Sequence, residues 1–187
     1  MYHIEEFKNK TTVKNYLEHY VDVTAFLEYC KACRCYGRIW SCPPYDFEPQ
    51  AYWEMYRYVH LLGTKLTFDR EAIEKEKGKE AAAYIRQVYL NAKEQLSEKM
   101  YGLEQRYPGS VTLSAGNCTI CSECTRPAGQ ACLHPDRMRY SIEVLGGNVV
   151  KTAEELLGVR LQWTDGDLPE TLTLVNGLLT DDPAAEI

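Results

Sequence analysis

The sequence lacks most of the motifs that announce a common enzyme. It has no G-x-S-x-G elbow, no H-E-x-x-H pair and no Gly-rich phosphate loop ending in Lys-Ser/Thr, so no constellation for hydrolysis stands out. Gly146-Gly147 lacks the G-x-G-x-x-G form, and a built-in nicotinamide or flavin site is not indicated. The C-x3-C-x2-C spacing that suggests radical chemistry with S-adenosylmethionine is missing too. Positive charge is in deficit, with 21 Lys and Arg against 27 Asp and Glu and a net charge of −6. Phosphate backbones call for a basic face, so no nucleic-acid partner is expected. No stretch nears the ~20 apolar residues of a spanning helix. The start, Met1-Tyr-His-Ile-Glu-Glu, has neither the basic residues nor the apolar run of a leader. A cytoplasmic protein without a membrane partner is expected.

What the chain does have is cysteine: eight in 187 residues, in two tight groups. The even count alone allows four disulfides, but without a secretion signal metal ligation is the better reading. Hydrophobic residues at 45% and charged residues at 26% are ordinary for a globular protein. A core forms at this length without metal staples. One domain over 1–187 is expected, with metal loops at 30–44 and 116–135.

The second group reads Cys118-Thr-Ile-Cys121-Ser-Glu-Cys124, with Cys132 after seven residues and Pro135 soon after. Two-residue gaps let successive side chains converge on one small centre, and thiolate is the soft ligand of iron–sulfur clusters. The run resembles a ferredoxin-type loop. A zinc knuckle is the alternative, since C-x2-C also suits tetrahedral zinc, usually as two such pairs. The third cysteine crowded into the run favours a 4Fe-4S core. The first group holds Cys30, Cys33, Cys35 and Cys42 within thirteen residues. That density demands a loop folding back on itself, with turns at Gly37 and Pro43-Pro44. Cys42-Pro43 resembles the Cys-Pro ending of bacterial ferredoxin loops, where that cysteine ligates a different cluster. Ligand sharing between the two groups therefore stays open.

The pattern C-x2-C-x2-Y-G-x2-W-x-C-P-P is filled by Cys30, Cys33, Tyr36, Gly37, Trp40, Cys42, Pro43 and Pro44. Together with C-x2-C-x2-C…C-x2-P and the following Ser141-Ile-Glu143 and Gly146, it resembles an uncharacterised prokaryotic family of predicted metal-binding proteins (domain of unknown function 2284). The resemblance spans most of the chain and implies metal binding without naming a substrate. Cys35 falls inside a gap of the pattern. As an extra thiol it would leave the first site three protein ligands and a fourth position open or filled from outside.

Cys30 to Cys42 contains Lys31, Arg34 and Arg38 and no acid, and Arg126, Arg137 and Arg139 lie in or near the second loop. Four thiolates around a cube leave negative charge, which nearby cations stabilise. The same cations, with Tyr36 and Trp40, are candidates for receiving an anionic substrate or a redox partner. His134 is either a replacement ligand or a neighbouring donor. An aromatic belt of Tyr45, Phe47, Tyr52, Trp53, Tyr56 and Tyr58 either shields the first centre from water or packs the core. Three functions follow. The chain carries two 4Fe-4S clusters for electron transfer or redox chemistry, or it is an enzyme binding a small anionic substrate at an open iron of the first cluster. In the third, both loops hold zinc as structural modules for interaction.

The elements expected are an α/β fold: a small mixed sheet of three to five strands, one long helix, and both cysteine loops at element ends. Val13, Tyr16, Leu17 and Tyr20 have helical spacing, continued by Val23, Phe26 and Leu27. A short helix is read over 50–57 and a buried strand over Val59–Phe68. The long helix occupies 69–106, with Ala81, Ile85, Val88, Ala92, Leu96, Met100 and Leu103 as its stripe and Gly78 as a break. A strand over Ser110–Ala115 feeds the second loop, and Pro135 opens a helix through Leu145. A helix capped by Thr152 with Glu155 follows. Val159–Trp163 and Thr171–Val175 form a hairpin over Asp165-Gly166, and the tail from Asp181 frays.

Overall fold

The computed structural model describes residues 2–75, 78–163 and 167–187, with backbone alone at 78 and 79. Strand β1 (Tyr2–Thr12) leads into helices α1 (Val13–Tyr20) and α2 (Val23–Lys31), and the first cysteine loop follows. Next come α3 (Pro49–Glu54), strand β2 (Tyr58–Phe68), and helices α4 (Arg70–Lys75) and α5 (Gly78–Arg106). Strand β3 (Val111–Leu113) delivers the chain to the second cysteine loop. Helix α6 (Val149–Lys151), continued by a π turn over Thr152–Leu156, and strand β4 (Thr171–Thr180) complete the order.

The four strands form one sheet in the order β1-β2-β4-β3. Every ladder is antiparallel rather than mixed. Side chains alternate between its faces. Val59, Leu61, Leu113, Val175 and Leu179 pack with Tyr16, Trp53, Leu145 and Leu157 on one side. Leu62, Leu66, Leu174 and Leu178 meet Ala81, Val88, Ala92, Leu96 and Met100 of α5 on the other. The sheet is thus covered on both faces, which is why β2 is buried along most of its length, polar residues such as His60 and Thr64 included. β1 lies at an edge, and its Glu5, Glu6, Lys8 and Lys10 are exposed. Charges there discourage pairing with another chain and also erase the alternation that marks a strand. The sequence gives no clean period over these residues for that reason.

Caps set the helix starts. Thr12 accepts from the Asn15 amide at 3.2 Å and Asp22 from the Ala25 amide at 2.9 Å, each satisfying an end donor. Tyr16 is fully buried and its hydroxyl meets Thr152 Oγ1 at 2.6 Å. Thr152 itself donates to the Asn148 carbonyl at 2.8 Å, so Tyr16 is the donor of the pair. Tyr16→Phe is expected to cost about 1 kcal/mol in denaturant unfolding, the usual worth of one such bond.

Several expectations need correcting. Pro135 opens one turn, not a helix: the His134 carbonyl accepts the Arg137 and Met138 amides at 3.1 and 2.8 Å. The chain then straightens because Ser114 donates to the Tyr140 carbonyl at 2.8 Å and Ser114 bridges Ser141 in parallel. Thr152 is no cap, because Asn148 holds that position, accepting from the Lys151 amide at 2.9 Å. Val159–Trp163 is not a strand: β4 already lies between β2 and β3, so no edge is left for a hairpin partner. The turn expected at Asp165-Gly166 lies outside the described residues, as does the join between α4 and α5. The tail is not frayed. Ala185 is buried, and the Glu186 amide donates to the Tyr107 hydroxyl at 3.1 Å.

Candidate metal centre

Cys30 rides the last turn of α2, so the first thiol is placed by a helix rather than by the loop. Beyond it the chain coils through tight turns. Cys33 donates to the Cys30 carbonyl at 3.0 Å, Tyr36 to Cys33 at 3.1 Å, Arg38 to Cys35 at 3.1 Å and Cys42 to Ile39 at 3.0 Å. Gly37, at φ +66°, donates to the Pro43 carbonyl at 2.8 Å and closes the loop; a side chain is strained in that left-handed conformation. Cys42 is the most enclosed thiol, 5% exposed. Burial pushes it up to about 12, helped by Cys35, Cys33 and Cys30 close by. Burial also raises Cys30 and Cys35, each with Cys33 as the next cause. The Cys35 amide donates to Cys33 Sγ at 3.5 Å, which sets these two residues side by side in the loop. Metal ligation here has to expel protons from neutral thiols.

Helix α5 holds the second loop at both stems. At the entry, Tyr89 and Lys93 donate to the Ala115 carbonyl at 3.1 and 2.6 Å, and Lys93 also reaches the Asn117 carbonyl. Gly116, at φ +65°, makes this possible, since a Cβ would lie 2.8 Å from the Tyr89 hydroxyl. Burial lowers the Lys93 ammonium to about 8, against the pull of Cys118, Glu143 and Cys42. At the exit, Arg139 donates from Nε to Glu104 Oε1 at 2.7 Å. Between the stems, Cys118, Cys121, Cys124 and Cys132 line a single small cleft. The Thr125 hydroxyl donates to the Ala131 carbonyl at 2.8 Å and its carbonyl accepts the Gln130 amide at 3.3 Å, cinching the stretch before Cys132.

The two loops are fastened to each other. Arg126 donates to the carbonyls of Ile39, at 2.8 Å, of Cys42 and of Pro44. Its guanidinium lies over the Trp40 ring, 5.1 Å from the centroid. The Trp40 indole in turn donates to the Gln130 carbonyl at 3.1 Å, and Ile39 and Trp40 help line the second thiol cleft. Buried Ser41 accepts the Cys118 amide at 2.9 Å. Tyr140, just past the second loop, packs against Tyr45, Phe47 and Tyr52 at 5.2 to 5.4 Å.

The sequence-read residues divide accordingly. All eight cysteines are free thiols. Among the described residues, no group of three or more His, Cys, Asp or Glu side chains is arranged to hold a single metal ion. Arg126 and Trp40 join the loops. Lys31, Arg34 and Arg38 are exposed on the first loop, Lys31 paired with Glu28 at 2.7 Å. Tyr36 is half-buried there. His134 is exposed and borders both the thiol cleft and a larger cavity on the α5 side. Of the aromatic belt, Tyr45, Phe47 and Tyr52 pack with Tyr140 against the core around Tyr16 and Trp53. Trp53 is core instead, 5.1 Å from Tyr16, with its indole donating to the Leu145 carbonyl at 3.0 Å.

Sequence reasoning passed over Ser41, Lys93, Glu104 and Tyr140. Lys93 follows Tyr89 by one helical turn and borders the apolar stripe at Ala92, the one signal that sets it apart from the other lysines of the helix.

A family model described as predicted metal-binding protein (DUF2284) matches residues 18–180, a span that includes both cysteine loops and α5. No curated protein and no solved structure matches the chain. No helix among the described residues is long and apolar enough to cross a membrane.

Proposed function

The chain belongs to this family of predicted metal-binding proteins, and from that premise we propose that it is an iron–sulfur protein with two 4Fe-4S clusters, one per cysteine loop, serving electron transfer. The observation that carries the reading is the second loop, where four thiols line one cleft that has no carboxylate among its walls, with Met138 and His134 beside them. A donor set dominated by thiols suits iron–sulfur clusters. Thiols spread around a cleft suit a core of several atoms, whereas tetrahedral zinc draws each sulfur to about 2.3 Å from one centre. A bound cluster would supply one-electron chemistry. The chain's own residues do the rest. Cys30, Cys33, Cys35 and Cys42 would hold one cluster and Cys118, Cys121, Cys124 and Cys132 the other. Arg126, Trp40 and Ser41 fix the spacing of the loops. Tyr45, Phe47, Tyr52 and Tyr140 pack the chain beyond each loop against the core. The exposed Lys31, Arg34 and Arg38 offer an acidic redox partner a place to dock.

Protein purified without air is expected to be brown and to hold about eight irons with matching sulfide, the content of two such clusters. A colourless protein loaded with zinc sinks the reading in favour of a structural module. Cys35→Ser tells a ligand from an extra thiol: a loss of about half the iron makes it the fourth ligand of the first cluster.

A further inference from the structure

Beside the second loop lies a cavity of about 520 Å³, inside the roughly 300–1,000 Å³ of small-molecule sites. Its walls come from α5, strands β3 and β4, and both ends of the second loop, at Cys118 and at His134 to Arg139. Much of the lining is apolar, with Met100, Leu113 and Ile120 among it. Among the polar side chains that interrupt that lining, Asn176 and Lys93 are buried and each is left incomplete.

Asn176 is 2% exposed. Its Nδ2 donates to the Leu113 carbonyl at 3.2 Å, but Oδ1 is enclosed without any partner. An acceptor buried in that state costs roughly 1–3 kcal/mol, so a donor belongs opposite it. Lys93, 4% exposed, spends two of its three N–H groups on the Ala115 and Asn117 carbonyls. Among the described residues no carboxylate pairs with it, whereas Arg137 and Arg139 on the same cavity are paired with Glu98 and Glu104. Lys93 is therefore a buried cation on this cavity without a direct ion pair, its charge favoured only at longer range by Cys118, Glu143 and Cys42. The two groups are anchored on neighbouring carbonyls of one stretch of chain, Asn176 on Leu113 and Lys93 on Ala115 and Asn117.

We propose that this cavity binds a small carboxylate carrying a hydroxyl or amino donor across an apolar body, the carboxylate at Lys93 and the donor on Asn176 Oδ1. The site is built from side chains of this chain alone and stands whether the thiols hold iron–sulfur or zinc.

The test is calorimetric titration of the full chain, purified without air, with 4-hydroxybenzoate, benzoate and 4-hydroxybenzyl alcohol. The first carries both groups at opposite ends of a rigid ring, and each of the others lacks one. 4-Hydroxybenzoate is expected to bind at least about tenfold more tightly than either, the worth of one well-made polar contact. Asn176→Ala is expected to erase its advantage over benzoate, and Lys93→Met its advantage over the alcohol. Iron, zinc and sulfide measured on each sample separate loss of metal from loss of ligand. Equal binding of all three probes, no saturable binding by any, or an affinity for 4-hydroxybenzoate unchanged in Asn176→Ala overturns the proposal. The comparison of probes on the unaltered protein decides the matter even where a variant does not fold.

Discussion

Arg126→Ala is expected to lower stability by about 3 kcal/mol and to release metal from both cysteine loops together. One guanidinium holds the carbonyls of Ile39, Cys42 and Pro44 and lies over the Trp40 ring. A hydrogen bond from a charged donor is worth about 1.5–3 kcal/mol, and bonds sharing one side chain do not add in full. Removing the side chain also leaves the Cys42 carbonyl without this donor beside the most enclosed thiol of the first loop. Arg126→Lys is not expected to rescue the protein, because an ammonium is a point donor and cannot span three carbonyls as the planar fork does. Denaturant unfolding and metal content after gel filtration check both statements. Loss of metal from the second loop alone would show that the loops are independent, against the geometry described above.

Arg126 also shows how far the sequence could be read. Its presence in the second loop was plain and its charge suggested compensation of a negative cluster. Nothing in the spacing could reveal that it serves the first loop, since its three acceptors are backbone carbonyls more than eighty residues away. Carbonyls carry no sequence mark. The elements legible beforehand were those with a strong period or a bounded apolar run: the stripe of α5, the buried β2, the short β3. Those missed were decided by tertiary pairing. β1 is polar because it is an edge, and the stretch after Pro135 straightens because Ser114 waits for it. The cysteines marked both loops from the start, while the residues that orient them, Ser41, Lys93, Glu104 and Tyr140, are ordinary residues until the fold brings them in.

Glu104→Ala is expected to cost about 3–5 kcal/mol, the usual penalty for leaving one member of a buried pair alone. The side chains of Glu104 and Arg139 are only 8% and 18% exposed. Glu104 Oε1 accepts from Arg139 Nε and also from the Thr112 amide and hydroxyl at 2.7 and 2.6 Å. Its loss frees the exit of the second loop from α5 and the adjoining end of β3 at once. Burial alone would raise the Glu104 carboxyl, but the bonds from Arg139 and Thr112 outweigh it and hold it below its ordinary value of 4.5. The folded state therefore binds this proton less readily than the unfolded state. Its contribution is complete above about pH 4.5 and is lost as pH falls through the lower folded value. Glu104→Gln, which cannot titrate, should show a flatter acid limb than the unaltered protein, with the two curves drawing together toward low pH. Acid also strips metal from thiolates, so the comparison is the difference between the two proteins at matched metal content. A stability gap that stays constant down to the most acid condition would mean that Glu104 contributes by shape and not by charge.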